Sequence, residues 1–257
     1  MVQAISATDA IKKRRRLIAE GIEYHRTEYF LPSSPIGATL DEVPLNQRGA
    51  QAFIVEQSPN SVVPSHFHIS NQFQVVVGGS GTLGRHEVRP FAVHYAGSYT
   101  GYGPITAGDD GLAYFTLRAQ FDSGPHVLPK CRSELKNVVR QLLLKDGIRT
   151  SNADELSARD GAVLETIIAP QETGLAGYLA RLGPKASLDL PPPQSGGGQY
   201  WVVVAGGIFY NGEDLPQSSC LFIAPTDPKI DLEAGSSGAE VLILQYPKNP
   251  EPVPKLA

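Results

Sequence analysis

The sequence predicts an all-β protein built as two tandem sandwiches or closed antiparallel barrels. Its 26 glycines and 21 prolines in 257 residues cut the aliphatic residues into short runs, which reads as strands joined by turns rather than as long helices. Those runs recur at even spacing with Gly, Pro, Asn and Asp between them, the pattern of an antiparallel sandwich or barrel. The chain also repeats itself. Gln72-Phe73-Gln74-Val75-Val76-Val77-Gly78-Gly79 returns 127 residues later as Gln199-Tyr200-Trp201-Val202-Val203-Val204-Ala205-Gly206. The same offset maps Pro64 to Pro191, Gly108 to Gly235 and Gly111 to Gly238, and the run from Tyr114 to Arg118 onto that from Val241 to Gln245. A register kept without a gap over this length is the mark of a tandem duplication. It sets the domain boundary at residues 1–130 and 131–257.

Each half is expected to open with a short helix. In the first, Ser6 or Thr8 supplies the cap, Gly21 the end, and the basic run Lys12-Lys13-Arg14-Arg15-Arg16 a solvated face. In the second, Leu135, Val138, Val139, Leu142 and Leu143 follow helical spacing between Ser133 and Gly147. The strands expected are Ala52 to Val55, Gln74 to Val77, Ala113 to Arg118, Gly177 to Leu182, Tyr200 to Val204 and Val241 to Gln245. The proline-rich tail from Pro247 to Pro254 cannot continue a ladder and is expected on the surface.

Charge and composition narrow the function classes. The 26 acidic against 22 basic residues give a net charge of −4, which argues against a general polyanion binder, so no nucleic-acid partner is expected. No apolar segment follows the N-terminal charges, and no run approaches the roughly 18 apolar residues of a membrane span. A cytoplasmic protein without a membrane partner is the expectation. Cys131 and Cys220 are far apart and form no CxxC pair, the pattern of two ordinary thiols rather than a disulfide framework. No Ser-His-Asp, Cys-His or phosphate-loop constellation is present, and Gly196-Gly197-Gly198 lacks the lysine and helix of a phosphate cradle.

The chemistry concentrates around His66-Phe67-His68. Residues two apart on a strand share a face, so His66 and His68 point the same way, and Gln72 and Gln74 share a face of the next strand. If that face lines a cavity, three or four nitrogen or oxygen donors meet there. His25, His86 and His126 carry no such spacing and read as surface or loop residues. The matching segment of the second half, Pro191-Pro192-Pro193-Gln194-Ser195, has no imidazole, thiolate or carboxylate. That half reads as structural, although Gln199, Trp201 and Lys229 are candidates to line a small pocket there.

With these residues in place, each half resembles a cupin, a small double-stranded β-helix or jelly-roll barrel, and the chain resembles a bicupin. The family's first motif runs His-x-His, three or four residues, Glu, six residues, Gly. Here it reads His66-x-His68, three residues, Gln72, six residues, Gly79. The second motif ends on a histidine, where this chain has Tyr102 and, in the second half, Lys229. The resemblance covers roughly residues 45–120 and 172–247. It implies a divalent metal ion (iron, manganese, nickel or zinc) held by His66, His68 and Gln72, with Tyr102 as the proton-transfer group and Gln74 and His94 lining the ligand pocket. His94 is an alternative third ligand. Gln72 brings no charge, and a phenol binds metal well only when deprotonated, so this set holds an ion less tightly than three histidines and a carboxylate. Two function classes follow. One is a metal-dependent enzyme of dioxygenase, isomerase or lyase type, acting on a small organic molecule in the first barrel. The other is a non-catalytic small-molecule binder with a degenerate metal site. Exposed jelly-roll edges pair readily, so a homodimer is a further expectation.

Overall fold

Strand alternation and glycine turns produce two all-β units in the computed structural model, which describes residues 1–19, 21–30, 43–44 and 48–249. One unit comprises 13–148; the other comprises 1–12 and 149–249. In chain order, β1 (Gln3–Ile5) and α1 (Ala7–Ala10) belong to the second unit, and β2 (Arg15–Ala19) opens the first. There follow β3 (Ile22–Phe30), β4 (Gln51–Gln57), β5 (Val62–Val63), β6 (His66–Phe67), β7 (Gln72–Leu83), β8 (His86–Val88), β9 (Val93–Ala96), β10 (Ile105–Arg118), β11 (His126–Val127) and β12 (Leu142–Lys145). The second unit resumes with α2 (Ala153–Ser157), β13 (Ala162–Ile168), β14 (Ala176–Leu182), β15 (Ser187–Leu188), β16 (Gln199–Tyr210), β17 (Glu213–Pro216), β18 (Cys220–Ile223) and β19 (Leu232–Gln245). No helix among the described residues is long and apolar enough to cross a membrane.

The first unit is organised on the order β12-β9-β7-β10-β4-β3-β2, and the second on β1-β18-β16-β19-β14-β13. All the described pairings are antiparallel. The bounds of β7, β9 and β10 reappear in β16, β18 and β19 at the offset of 127. The expected strands are present, but the central ones run on for 12 and 14 residues through glycine bulges. Gly79 shows why a glycine closes the first motif. Its φ is +67°, and a Cβ there would stand 2.1 Å from the carbonyl oxygen of Gly111. Gly206 repeats this at φ +64° and 2.2 Å from Gly238 O. Because rigid backbone opposes the side chain, Gly79→Ala is expected to cost at least about 2 kcal/mol, measured by urea unfolding of parent and variant.

Both expected helices are corrected. Ser6 does cap a helix, accepting from Asp9 N, but α1 has only four residues and gives way to a 3-10 turn at Ile11–Lys13. The basic run leads into β2, and its Arg14, Arg15 and Arg16 meet Glu56, Glu28 and Glu23. In the second half, residues 135–147 form no helix. A 3-10 turn occupies Arg132–Glu134 and β12 pairs with β9. Covering the open edge of β9 satisfies a row of backbone groups, and this outweighs a short amphipathic pattern whose Val139 and Leu142 remain exposed. β1 does for β18 what β12 does for β9. Of the tail, only Pro247, Lys248 and Asn249 are described; Pro250 to Pro254 lie outside the described residues.

The interiors of the two barrels differ by substitution at matched positions. Gln74, His94, Tyr114, Thr116 and Arg118 of the first correspond to Trp201, Leu221, Val241, Ile243 and Gln245 of the second. Trp201, Leu221, Val241 and Ile243 join one large apolar cluster that fills the second barrel. Each such side chain stabilises by about 1.5–3 kcal/mol on burial. The apolar cluster of the first barrel lies at one end, around Val76, Ile105 and Leu112, and the other end holds polar side chains around a cavity.

Candidate functional site

The cavity of the first barrel has a volume of about 180 Å³. Alternation along β3, β4, β7 and β10 turns Tyr24 and Arg26, Phe53 and Val55, Gln72 and Gln74, and Tyr114, Thr116 and Arg118 toward it. His66 is placed by β6, which pairs with β11 through Val127. A further backbone bridge joins His66 to Tyr102, each N–H donating to the other's carbonyl at 3.0 Å. Tyr102 thus sits directly beside the first motif.

The structure brings His66, His68, Gln72 and Tyr102 together in one directed hydrogen-bond chain. Arg118 Nε donates to Gln72 Oε1 at 2.9 Å, and Gln72 Nε2 donates to Tyr102 Oη at 2.6 Å. The Tyr102 hydroxyl then donates to His66 Nε2 at 3.0 Å, and His66 Nδ1 donates to Pro64 O at 2.7 Å. A branch runs from Arg118 Nη2 to the His68 ring, 3.2 Å from Nδ1 and 3.3 Å from Nε2, while His68 Nδ1 donates to Asp122 Oδ1 at 2.7 Å. Asp122 also accepts from Ser70 N, Ser70 Oγ and Gly124 N, and lies 3.6 Å from Arg118 Nη1. Gln51 Oε1 accepts from Arg118 Nη1 at 3.1 Å. These donor assignments fix both histidines as neutral Nδ1–H tautomers.

Burial sets the electrostatics. Desolvation, with the neighbouring His68, lowers the His66 pKa to about 3, and desolvation lowers His68 as well. Burial raises the Tyr102 hydroxyl well above its ordinary value. Burial alone would push Asp122 up, but Arg118, His68 and its hydrogen bonds outweigh that and hold the carboxyl well below the usual range. The site at neutral pH therefore contains neutral imidazoles, a neutral phenol and one internal ion pair.

Gln74 lines the cavity as expected of a pocket residue, and it accepts from His94 Nδ1 at 2.9 Å. His94 lies apart. It borders a separate, apolar space of about 20 Å³ behind Tyr102, its burial lowers its pKa to about 4, and its Nε2 has no hydrogen-bond partner. Arg118 and Asp122 are cavity-lining residues that the motif spacing did not reveal. The available signal for Arg118 was parity, a charged residue in step with Tyr114 and Thr116 on an otherwise apolar strand. Asp122 lies in the loop after β10, where no periodicity applies. His126 is also corrected: it sits on β11, half-buried and stacked on Phe67 with ring centroids 4.9 Å apart.

A divalent ion does not suit this donor set as it is arranged. His66 Nε2 and Gln72 Oε1 each already accept a proton, and the Arg118 guanidinium lies against the His68 ring. Tyr102 is held neutral, the Asp122 carboxylate is already taken up by His68, Ser70, Gly124 and Arg118, and the Arg118 guanidinium already places a positive charge among them. In the second barrel, Pro193 and Ser195 lie in a 3-10 turn. Gln199 there donates to Pro191 O and Gln245 Oε1, Trp201 Nε1 donates to Gln199 Oε1, and Lys229 pairs with Asp189. Its polar groups are used up within its own wall.

No protein-family model matches the chain, and no curated protein sequence matches it. Solved structures do match in fold. A Nostoc punctiforme protein named as a "putative dioxygenase" superposes with a TM-score of 0.61 at 10% identity, covering 100% of this chain and 85% of that one. An oxalate decarboxylase gives 0.55 at 12% identity, with 97% and 78% covered. A Bacillus subtilis oxalate decarboxylase, whose description names Mn(II) centres, gives 0.52 at 10% identity, with 96% and 78% covered. Both kinds of neighbour are cupin-fold proteins, and at this identity the likeness establishes the fold: all-β jelly-roll barrels of the cupin type.

Proposed function

We propose that the first barrel is a cupin-type catalytic pocket for a small, largely apolar organic acid, with Arg26 receiving its carboxylate. The observation that carries this reading is a second guanidinium on the cavity wall. Arg26 pairs with Glu28 through Nη2, yet its buried Nε has no hydrogen-bond partner. Arg26 and Arg118 flank the ring of Phe53 at 5.1 and 5.6 Å. A buried N–H without an acceptor is costly, and a carboxylate oxygen is the acceptor that suits a guanidinium best. The cavity is of the order of one six-membered ring in size. The repeated strand bounds support reading the chain as a bicupin whose second barrel is structural.

In this reading the aromatic and aliphatic wall holds the body of the substrate, and Arg26 fixes its acidic end. The Tyr102 hydroxyl delivers or receives the proton, passing it along the hydrogen bond to His66 Nε2. A bound anion beside His66 raises its pKa back toward the ordinary range, so the relay becomes basic when the cavity is loaded. Proton-transfer chemistry of isomerase or lyase type fits these groups. A non-catalytic binder is the second reading, favoured by the low pKa of His66.

The test is thermal melting with a panel of small aliphatic and aromatic monocarboxylates, alongside turnover assays and elemental analysis. A matching acid at 100 times its Kd stabilises by about 2.7 kcal/mol. Tyr102→Phe should keep that shift and lose turnover by about 100-fold or more. Shifts without turnover in the parent select the binder. A panel without any shift overturns the pocket assignment. Near-stoichiometric metal, lost in His66→Ala/His68→Ala, overturns the metal-free organic-acid reading in favour of a metal centre such as the Mn(II) of the decarboxylase.

A further inference from the structure

We infer that His126, Cys131 and Glu134 form a zinc site on the outer face of the β6–β11 ribbon, separate from the cavity. One ligand atom from each lies within 4.8 Å of the other two. A tetrahedral ion with bonds of about 2.0–2.3 Å sets its ligand atoms roughly 3.4–3.6 Å apart, so shifts below about an ångström close the cluster around it. The three residues come from adjoining turns whose backbone is tied down. Cys131 N donates to Val127 O at 2.9 Å, and Glu134 N donates to Cys131 O at 3.0 Å.

Two of the three groups already touch: His126 Nδ1 and Glu134 Oε2 are 2.6 Å apart. The Cys131 thiol stands within 4.8 Å of both the carboxylate and the imidazole. This is the geometry of three donors around one point. The far side of the imidazole is oriented as metal ligands usually are: Ser123 Oγ lies 3.2 Å from Nε2, and Phe67 stacks on the ring. On zinc binding the thiol proton leaves to solvent and His126 shifts its one ring proton from Nδ1 to Nε2, which frees Nδ1 to coordinate. Nε2–H then donates to Ser123, whose hydroxyl is able to accept. Thiolate with imidazole and carboxylate selects zinc among the common divalent ions, and half-exposed His126 and exposed Glu134 leave water access for a fourth ligand.

The ribbon gives such an ion a structural consequence. Alternation on β11 puts His126 outside and Val127 on the cavity wall, and Phe67 separates His66 from His68. Zinc bound here pins the segment that carries the His-x-His motif.

The experiment is titration of the full, untagged chain with zinc and with cobalt(II) as a spectroscopic probe. One equivalent of cobalt should bind with a thiolate-to-metal charge-transfer band. Cys131→Ser should abolish that band, Ser123→Ala should weaken zinc by about 10-fold, and His66→Ala/His68→Ala should leave both unchanged. Cys131 is partly exposed and free, and melting of the metal-free Cys131→Ser protein verifies that the fold is kept. Cobalt binding without a thiolate band, zinc affinity indifferent to Cys131→Ser, or binding lost in the double histidine variant overturns the assignment.

Discussion

Asp122→Asn should destabilise the first barrel by about 3–5 kcal/mol, a fall in melting temperature of the order of 10 °C. The carboxylate is fully buried, and it neutralises a guanidinium whose side chain is 5% exposed. It also accepts from His68 and from three donors at Ser70 and Gly124. An asparagine removes the charge and turns an amide N–H₂ toward one of those donors. Arg118 would then be a buried cation without its counter-ion, the costly half of a broken pair. Arg118→Gln installs the residue found at the matching position 245, and the double variant should be less destabilised than the two single costs together. Urea unfolding of the four proteins gives the coupling energy, expected at about 1–3 kcal/mol. Strictly additive costs would show that Arg118 and Asp122 do not act as a pair, and the internal ion pair assigned to the site would then have no basis.

The legible parts of the molecule were those with local periodicity or a repeat. A gapless offset exposes duplicated strands because any insertion would break the register, and the structure repeats β7, β9 and β10 at that offset. His66, His68 and Gln72 converge because strand alternation is a local rule, and Tyr102 joins them through a backbone bridge. What the sequence concealed was long-range. The pattern from Leu135 to Leu143 has helical spacing, but the open edge of β9 decides its conformation. Arg118 and Asp122 act through residues about 50 positions away in the chain, a pairing that no spacing encodes. His126, Cys131 and Glu134 come together only after β11 has paired with β6 and the chain has turned at Cys131.

The same burial that creates the cavity should make the first barrel sensitive to acid well above the carboxylate range. His66 and His94 have folded pKa values of about 3 and about 4, and His68 is lowered too. An unfolded histidine titrates near 6.5. Between those limits the unfolded chain binds protons that the folded barrel excludes, so stability falls as pH falls below about 6.5. At pH 5 His66 and His94 each account for about 2 kcal/mol of loss, and His68 adds in the same direction. Asp122, with its lowered pKa, adds further loss only below about pH 4, again as pH falls. A total of about 4 kcal/mol or more is a large share of the 5–15 kcal/mol that holds a typical domain together. Urea midpoints should therefore drop steeply from pH 7 to pH 5. His94→Leu, which installs the residue of the matching position 221, should remove about 2 kcal/mol of that drop, whatever it does to stability at pH 7. Equal midpoints at pH 7 and pH 5, or an unchanged pH slope in His94→Leu, would mean that these imidazoles accept protons in the folded barrel. The cavity would then be wet, and the neutral hydrogen-bond chain from Arg118 to Pro64 would not be its resting state.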